Sequence, residues 1–452
     1  MRIQSIFPVV LALILFISCE KDNLLVNSDS LAQPQLKSNQ INNSNHLKIA
    51  VISDIHYMDP SLLQNNAQYS PKFQSDRMTR HYVLVEFSTS IFNKVISEIL
   101  AEKPDIVLIP GDLAKEGEAV SHLDVVAQLQ LLKSAGIKVY VVPGHSDINN
   151  NYPVAYNGIT FSYVPTISSL QFASLYSDFG YNDAIFKDDN SLSYIAEPYP
   201  GLWILALDAA KYSPTYAKGG RIKSETMQWI KEHMEQAKQN NYVVLGLMHH
   251  NVMPHSDVES QIFPTMLLDD WKARADSLIS YGLQVMFTGS AHSTDITMLE
   301  TAGKRLYDIE TGSLVTPPSS YRLCFLKNKE LEVITKYITS IPATLPNNQN
   351  FTDYSLQDFS ERLDIYFHDL FIPKYGGSLP ENIVTYMTPL LRNAFMAYVA
   401  GDERLSPSEQ TKIDSLNYIT PKPDNIIWGV TSLWKDLNTK DQKWHVKLMD
   451  YN

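Results

Sequence analysis

From Leu47 onward the chain repeats one pattern. A run of apolar, often β-branched residues ends abruptly in glycine, aspartate or histidine, and an amphipathic stretch follows. The runs are LKIAVISD (47–54), DIVLIPGD (105–112), KVYVVPGH (138–145), LWILALD (202–208), YVVLGLMHH (242–250) and LQVMFTG (283–289). Between them, FSTSIFNKVISEILAE (87–102) and VVAQLQLLKSAG (125–136) carry helical spacing. Near-continuous apolar strands alternating with helices predict an α/β fold with a largely parallel sheet covered on both faces. Past residue 302 the pattern changes. Residues 303–315 and 321–338 read as hairpin strands, which predicts mixed strand directions and a two-sheet core.

A Pro/Asn linker, PATLPNNQN (342–350), closes this region, so the α/β domain is placed at 46–342. Beyond it, SLQDFSERLDIYFHDLF, ENIVTYMTPLLRNAFMAYVAG and NIIWGVTSLWKDL have helical spacing with Ser-Pro and Gly punctuation. They predict a small C-terminal α-helical domain over 351–452, packed on the first.

The other end of the chain reads differently. Arg2 precedes an apolar core from Phe7 to Ile17, and small Ser18 precedes Cys19. That core is too short to span roughly 30 Å of hydrocarbon, so 1–18 reads as a secretory signal peptide. A small residue followed by cysteine at this point resembles the lipobox of bacterial lipoproteins. The EKDN that follows resembles export signals of Bacteroidota lipoproteins. The resemblance implies lipidation of Cys19 and an exported lipoprotein held at the outer membrane, on its periplasmic or cell-surface side. Residues 19–45, rich in Asn, Ser and Gln, then form a lipid-anchored flexible tether.

Composition narrows the function. With 44% hydrophobic and 19% charged residues over 452 positions, the chain is an ordinary folded protein of two or three domains. The formal net charge is −12 and no Lys/Arg block interrupts it, so no nucleic acid partner is expected. A small phosphate ester remains acceptable, because bound metal ions would supply the local positive charge. Once Cys19 is set aside, Cys324 has no partner for an intramolecular disulfide and reads as a buried strand residue.

The chemistry lies at the strand ends. SDIH (53–56), PGDL (110–113), PGHSD (143–147), MHHN (248–251) and TGSAH (288–292) follow in fixed order. Each sits where open α/β sheets place their ligands. In D-x-H the alternate residues Asp54 and His56 project the same way, so both reach one ion. Asp112 follows a second strand, where a single carboxylate can bridge two cations, and His249 and His292 offer neutral imidazole nitrogens. Any one of these has an ordinary alternative, a turn aspartate or a hydrogen-bonded structural histidine. Five in order point instead to a pair of transition metals. His250 and Asn251 either line the pocket beside His249 or cap a loop. His122 and His255 read as structural, and Lys115 as an exposed loop lysine. Tyr321 and Arg322 follow a Pro-Pro turn from which they either reach substrate or pack.

The order and spacing are similar to those of the calcineurin-like metallophosphoesterases, whose pattern is D-x-H, G-D, G-N-H-D/E, H and G-H-x-H. The likeness covers roughly residues 47–300, and the hairpin region through about 340 reads as the same domain. It implies a four-layer α/β sandwich, two mixed β-sheets flanked by helices, with a dinuclear site between the sheets. It implies a first site of Asp54, His56, Asp112 and His292, with Asp112 bridging to a second site of His249 and the residues at positions 145 and 290. One or two Mn, Fe or Zn ions would be the cofactor, and hydrolysis of phosphate mono- or diesters by a metal-bound hydroxide the reaction.

Two departures alter that picture. Where the family has Asn-His, this chain has His145-Ser146, and where it has G-H-x-H, this chain has Gly289-Ser290-Ala291-His292. A serine hydroxyl is a poor transition-metal ligand. His145 either replaces the asparagine as a ligand or keeps the acid role one position early. The expectation is a cell-envelope phosphoesterase using Asp112, His145 and His250, with its second metal site and general acid altered. The alternative is a degenerate, weakly active or inactive member that binds metal and phosphate ligands at the cell surface.

Overall fold

Two mixed β-sheets face each other, with helices on their outer sides. The structure, a computed structural model, describes residues 46–79, 84–401, 403–418, 424–435, 437 and 440–450. The segments read as signal peptide and tether, Cys19 included, lie outside the described residues.

The first sheet is built on the parallel trio Leu47–Val51, Ile106–Ile109 and Lys138–Val141. Ser320–Lys327, Glu330–Tyr337 and Lys443–Lys447 extend it antiparallel beyond Leu47–Val51. The second sheet is built on four parallel strands, Leu202–Leu207, Val243–Met248, Val285–Thr288 and Lys304–Glu310. Ile296–Thr301 forms one antiparallel edge, and Tyr194–Tyr199 with Ala184–Lys187 the other. Ile106–Ile109, Leu202–Leu207, Val243–Met248 and Val285–Thr288 are buried at every position, which explains their unbroken apolar runs. One apolar core runs through both sheets and includes Ile49, Val107, Ile204, Leu245 and Phe287. Cys324 is fully buried within the Ser320–Lys327 strand.

Helix formation follows the same logic. Ser88–Glu102 buries Ile91, Phe92, Val95, Ile96 and Ile99, one stripe at helical spacing. It stops at Lys103, which turns to φ 50° and donates its N–H to the Ile99 carbonyl.

The hairpin regions fold partly as the pattern suggests. Ser320–Lys327 and Glu330–Tyr337 pair across Asn328-Lys329, whose φ values of 50° and 62° match the twist of a tight hairpin. Lys304–Glu310 instead turns back on the preceding strand, Ile296–Thr301, across Ala302-Gly303. The segment 311–319 crosses to the first sheet, and its Pro317-Pro318 pair has no N–H to offer a ladder.

Beyond the linker, Phe351–Ile365, Glu381–Ala400, Pro407–Ser415 and Asp424–Leu433 gather a second apolar core around Phe359, Leu363, Met387, Leu391 and Val430. Val258, from the α/β region, is part of that core, and Thr294 N–H donates to the Val399 carbonyl at 3.0 Å. The end of this tail is not helical. Lys443–Lys447 joins the first sheet, Val446 opposite Leu331 and Trp444 opposite Val333. KWHVK alternates with period two, which puts Trp444 inside against the Tyr307 ring at 4.7 Å. No helix among the described residues is long and apolar enough to cross a membrane.

Candidate metal centre

All five motifs emerge from carboxyl ends of strands, three from the first sheet and two from the second. The ladder does not stop where the strands do. Ile52 N–H donates to Leu108 O (3.1 Å), Asp54 N–H to Gly111 O (3.2 Å), His56 N–H to Asp112 O (3.0 Å) and Tyr57 N–H to Leu113 O (2.9 Å). The D-x-H and GD loops are therefore zipped side by side. In the second sheet, Gly289 N–H donates to His249 O at 3.1 Å. Such close approach leaves no room for side chains at two points. A Cβ on Gly111 would lie 2.5 Å from Gly144 N, and one on Gly289 would lie 2.3 Å from Asp54 Oδ2.

Asp147, the final acid of PGHSD, braces these loops. It is fully buried and accepts from the N–H groups of Leu113 (2.8 Å), Ala114 (3.0 Å) and Gly144 (2.8 Å). Burial, and then the neighbouring Asp112, hold its carboxyl well above the usual range.

The backbone at the ligands is strained. Asp54 (φ 48°), His56 (42°), Asp112 (49°), His292 (63°) and Ser290 (76°) all occupy left-handed φ values that L residues avoid.

The side chains converge in pairs. His56 Nε2 faces His292 Nε2 at 3.1 Å, and His145 Nδ1 faces His249 Nε2 at 3.0 Å. Asp112 Oδ2 lies 3.4 Å from His145 Nδ1, 3.6 Å from His249 Nε2 and 3.7 Å from His56 Nε2. Asp54 Oδ1 lies 3.5 Å from His292 Nε2 and 3.8 Å from His56 Nε2. Ligand atoms about 2.1 Å from one ion stand about 3.0–3.4 Å apart at adjacent octahedral or tetrahedral corners. The observed spacings fit shared ions. Among the described residues, buried Asp54 Oδ1 has no hydrogen-bond partner of ordinary geometry, with His292 Nε2 at 3.5 Å, as suits an oxygen placed for a cation. His249 Nδ1 is 3.0 Å from the Pro110 carbonyl, so that nitrogen carries the proton and Nε2 presents its lone pair inward. Among the described residues the donors form three overlapping sets, each with ligand atoms within 4.8 Å of one another: Asp54, His56, His292; Asp54, Asp112, His249; and His145, His249, His250.

Electrostatics suits the same role. Burial pushes the Asp112 carboxyl up, but His145, His249 and His56 outweigh it and hold the group below its usual range. Asp54 is lowered in the same way against its burial, chiefly by His292 and His249. Burial drives His145 and His250 toward the neutral, ligating form. Lys218, exposed in the strand Ala217–Gly220, adds to that drive on His145. Sequence reasoning missed Lys218; its only signal is the Gly219-Gly220 pair that follows.

The structure thus brings together Asp54, His56, Asp112, His145, His249, His250 and His292. Ser146 donates its N–H to Asp112 Oδ1 (2.7 Å) and its hydroxyl to Asp112 Oδ2 (2.9 Å). Tyr321 donates to Glu98, and Arg322 is buried, donating to the carbonyls of Glu310 and Asp441, so neither reaches the site. Lys115 is not an exposed loop lysine. It is 2% exposed, paired with Glu118 at 3.0 Å, because the zipped loops carry it inward. His122 is buried against Tyr176 OH (2.8 Å) and the Asp147 carbonyl (3.0 Å). His255 lies in a separate buried cluster, 3.5 Å from Asp295, 3.5 Å from Asp308 and 3.8 Å from Glu310. That cluster steadies the centre, since Glu310 accepts from Asn251 Nδ2 at 3.1 Å and from Ser293 N–H at 3.1 Å.

A sandwich of this kind, with carboxylates and imidazoles meeting at the strand ends, is the frame of a metal-dependent hydrolase. The family model described as calcineurin-like phosphoesterase matches residues 47–286, and the chain belongs to that family. It is a metallophosphoesterase, a hydrolase of phosphate esters. No curated protein matches it in sequence. Among solved structures it is similar to a dimetal phosphatase from Danio rerio (14% identity, 64% of this chain and 96% of that one, TM-score 0.45). It is also similar to a purple acid phosphatase from yellow lupin, Lupinus luteus (10% identity, 66% of this chain and 52% of that one, TM-score 0.39).

Proposed function

We propose that the chain hydrolyses phosphate mono- or diesters at a two-ion centre with a complete first site and an altered second one. Asp54, His56, Asp112 and His292 would hold the first ion, and Asp112, His145 and His249 the second. The observation that carries this is Asp112 Oδ2, which stands 3.4–3.7 Å from imidazole nitrogens of three histidines. Ions bound there would set positive charge against the phosphoryl oxygens and acidify a water.

The protein groups do the positioning. Ser146 fixes the Asp112 carboxylate with two hydrogen bonds, and the Pro110 carbonyl fixes the tautomer of His249. His145 turns Nδ1 toward Asp112 and His249, which favours a ligand over an acid. The Ser146 hydroxyl is engaged with Asp112, so no side chain at that position protonates the leaving group. Losing a general acid costs about 10²–10⁴-fold, and most for poor leaving groups. Esters of acidic alcohols should therefore be the better substrates.

The test is turnover of a series of aryl phosphates by the metal-stripped chain reloaded with Mn²⁺, Fe²⁺ or Zn²⁺. A rate that falls steeply as the leaving-group pKa rises is expected. Folded protein that binds ions yet turns over none of the series would establish the binding-only reading instead.

The sequence of residues 1–19 supports an exported lipoprotein anchored through Cys19. Cys19→Ala should then move the protein from the membrane fraction to the soluble one.

A further inference from the structure

We propose that His250 is a ligand of the second ion, standing in for the imidazole that Ser290 lacks. This rests on the two-ion reading above. The His250 side chain is fully buried, and among the described residues neither ring nitrogen has a hydrogen-bond partner. A neutral imidazole carries one N–H and one lone pair, and leaving either buried and unsatisfied opposes folding. Such an atom persists where it has another task. One of its nitrogens lies within 4.8 Å of ligand nitrogens of both His145 and His249. Nitrogens about 2.1 Å from a common ion stand about 3.0 Å apart when adjacent and about 4.2 Å when opposite, so a small ring rotation brings His250 into range.

A second feature shows that the ring's seat is built. A Cβ on Gly220 would lie 2.4 Å from His250 Cγ, so this strand lies directly against the imidazole and fixes its position. Across the site, Ser290 offers only a buried hydroxyl, without a hydrogen-bond partner among the described residues. The second ion thus loses a nitrogen at Ser290 and gains one at the residue after His249. The two sites then differ in character. The first holds two carboxylates and two imidazoles, and the second holds three imidazoles and the shared Asp112. The nitrogen-rich site should prefer Zn²⁺ or Co²⁺ over Mn²⁺.

The experiment counts ions rather than turnover. The full chain is stripped, titrated with Zn²⁺ by calorimetry, assayed for metal content, and loaded with Co²⁺ for its visible spectrum. The wild type should take up two ions per chain. His250→Phe, which keeps the volume, should hold one tightly and bind the other at least 10–100-fold more weakly, the range seen when a ligand's own support is lost. The Co²⁺ bands of the second site should change with it. Adding Ser290→His to His250→Phe should restore the second ion, a rescue that a packing role for His250 does not produce. His250→Gln replaces the phenylalanine variant if that one does not fold. Two ions at wild-type affinity with an unchanged Co²⁺ spectrum in both variants overturn the assignment of His250 alone. Fewer than two ions in the wild type overturn the two-ion reading beneath it.

Discussion

Two buried clusters of histidine and carboxylate lie near each other in this molecule, and they have opposite natures. In the metal centre five imidazoles surround two carboxylates, Asp54 and Asp112. In the second cluster one imidazole, His255, faces Asp295, Asp308 and Glu310, while its backbone N–H donates to Glu259 at 2.8 Å. Burial works against charge on His255, yet Asp295 and Asp308 outweigh it and hold the imidazole well above its ordinary pKa. That cluster contains its own cation. In the metal centre burial instead keeps His145 and His250 neutral, and their lone pairs have no proton to hold. The ratio of imidazoles to carboxylates decides whether a buried cluster is closed or needs a cation from outside.

The comparison can be tested at its most extreme point by Asp112→Asn. If one carboxylate serves both ions, the rate should fall about 10³-fold or more, since the lost charge stabilisation amounts to several kcal/mol. Both ions should bind weakly, while the metal-free protein still unfolds cooperatively in urea. Retention of two tight ions would remove Asp112 from the bridging role.

His255→Leu should do the reverse. Breaking a buried charge cluster by removing one partner costs about 3–5 kcal/mol, so stability should drop while each folded chain still binds its metal. The same cluster sets a pH dependence. His255 has a folded pKa above its unfolded value near 6.5, so its contribution is complete below that pH and lost as pH rises through the folded pKa. Burial raises Glu259 to about 7 and lifts Glu310 as well, and carboxyls with raised folded pKa values also favour folding at lower pH. All three effects have the same sign. The Tm of the metal-free protein should fall between pH 6 and 9, and the slope should flatten in His255→Leu. A Tm that rises over this range would show that the cluster is not charged as described.

The smallest effect is expected at the rim. Lys218 is exposed and lies within electrostatic reach of His145, where an incoming phosphate would meet it. Lys218→Ala should raise KM about two- to fivefold with little change in kcat, as suits a solvent-exposed charge. An equal fall in kcat would place Lys218 in the reaction itself.

The sequence made Asp54, His56, Asp112, His249 and His292 legible because each ends a buried apolar run. The direction of a side chain at a strand end can be judged from period two. His250 was harder. Neighbours on a regular strand point to opposite faces, and only the irregular backbone after Met248 lets both imidazoles face the site. Lys115 was misread because polarity suggested exposure, while burial came from pairing with Glu118, a tertiary fact. The strand Lys443–Lys447 was overlooked because five alternating residues carry little weight after a long stretch of helical spacing. Lys218 has only the weak signature of the Gly219-Gly220 pair, since its placement depends on how a short hairpin meets the far side of the site.

The left-handed φ values at Asp54, His56, Asp112, Ser290 and His292 bear on how such a site survives mutation. An L residue there costs about 1–2 kcal/mol that glycine would avoid. On backbone grounds alone, glycine would suit any of the five positions better. Four of the five are nevertheless aspartate or histidine aimed at the centre. Those four side chains thus sit on a backbone conformation that glycine would adopt more easily, and any exchange that relieves it removes a donor from the centre.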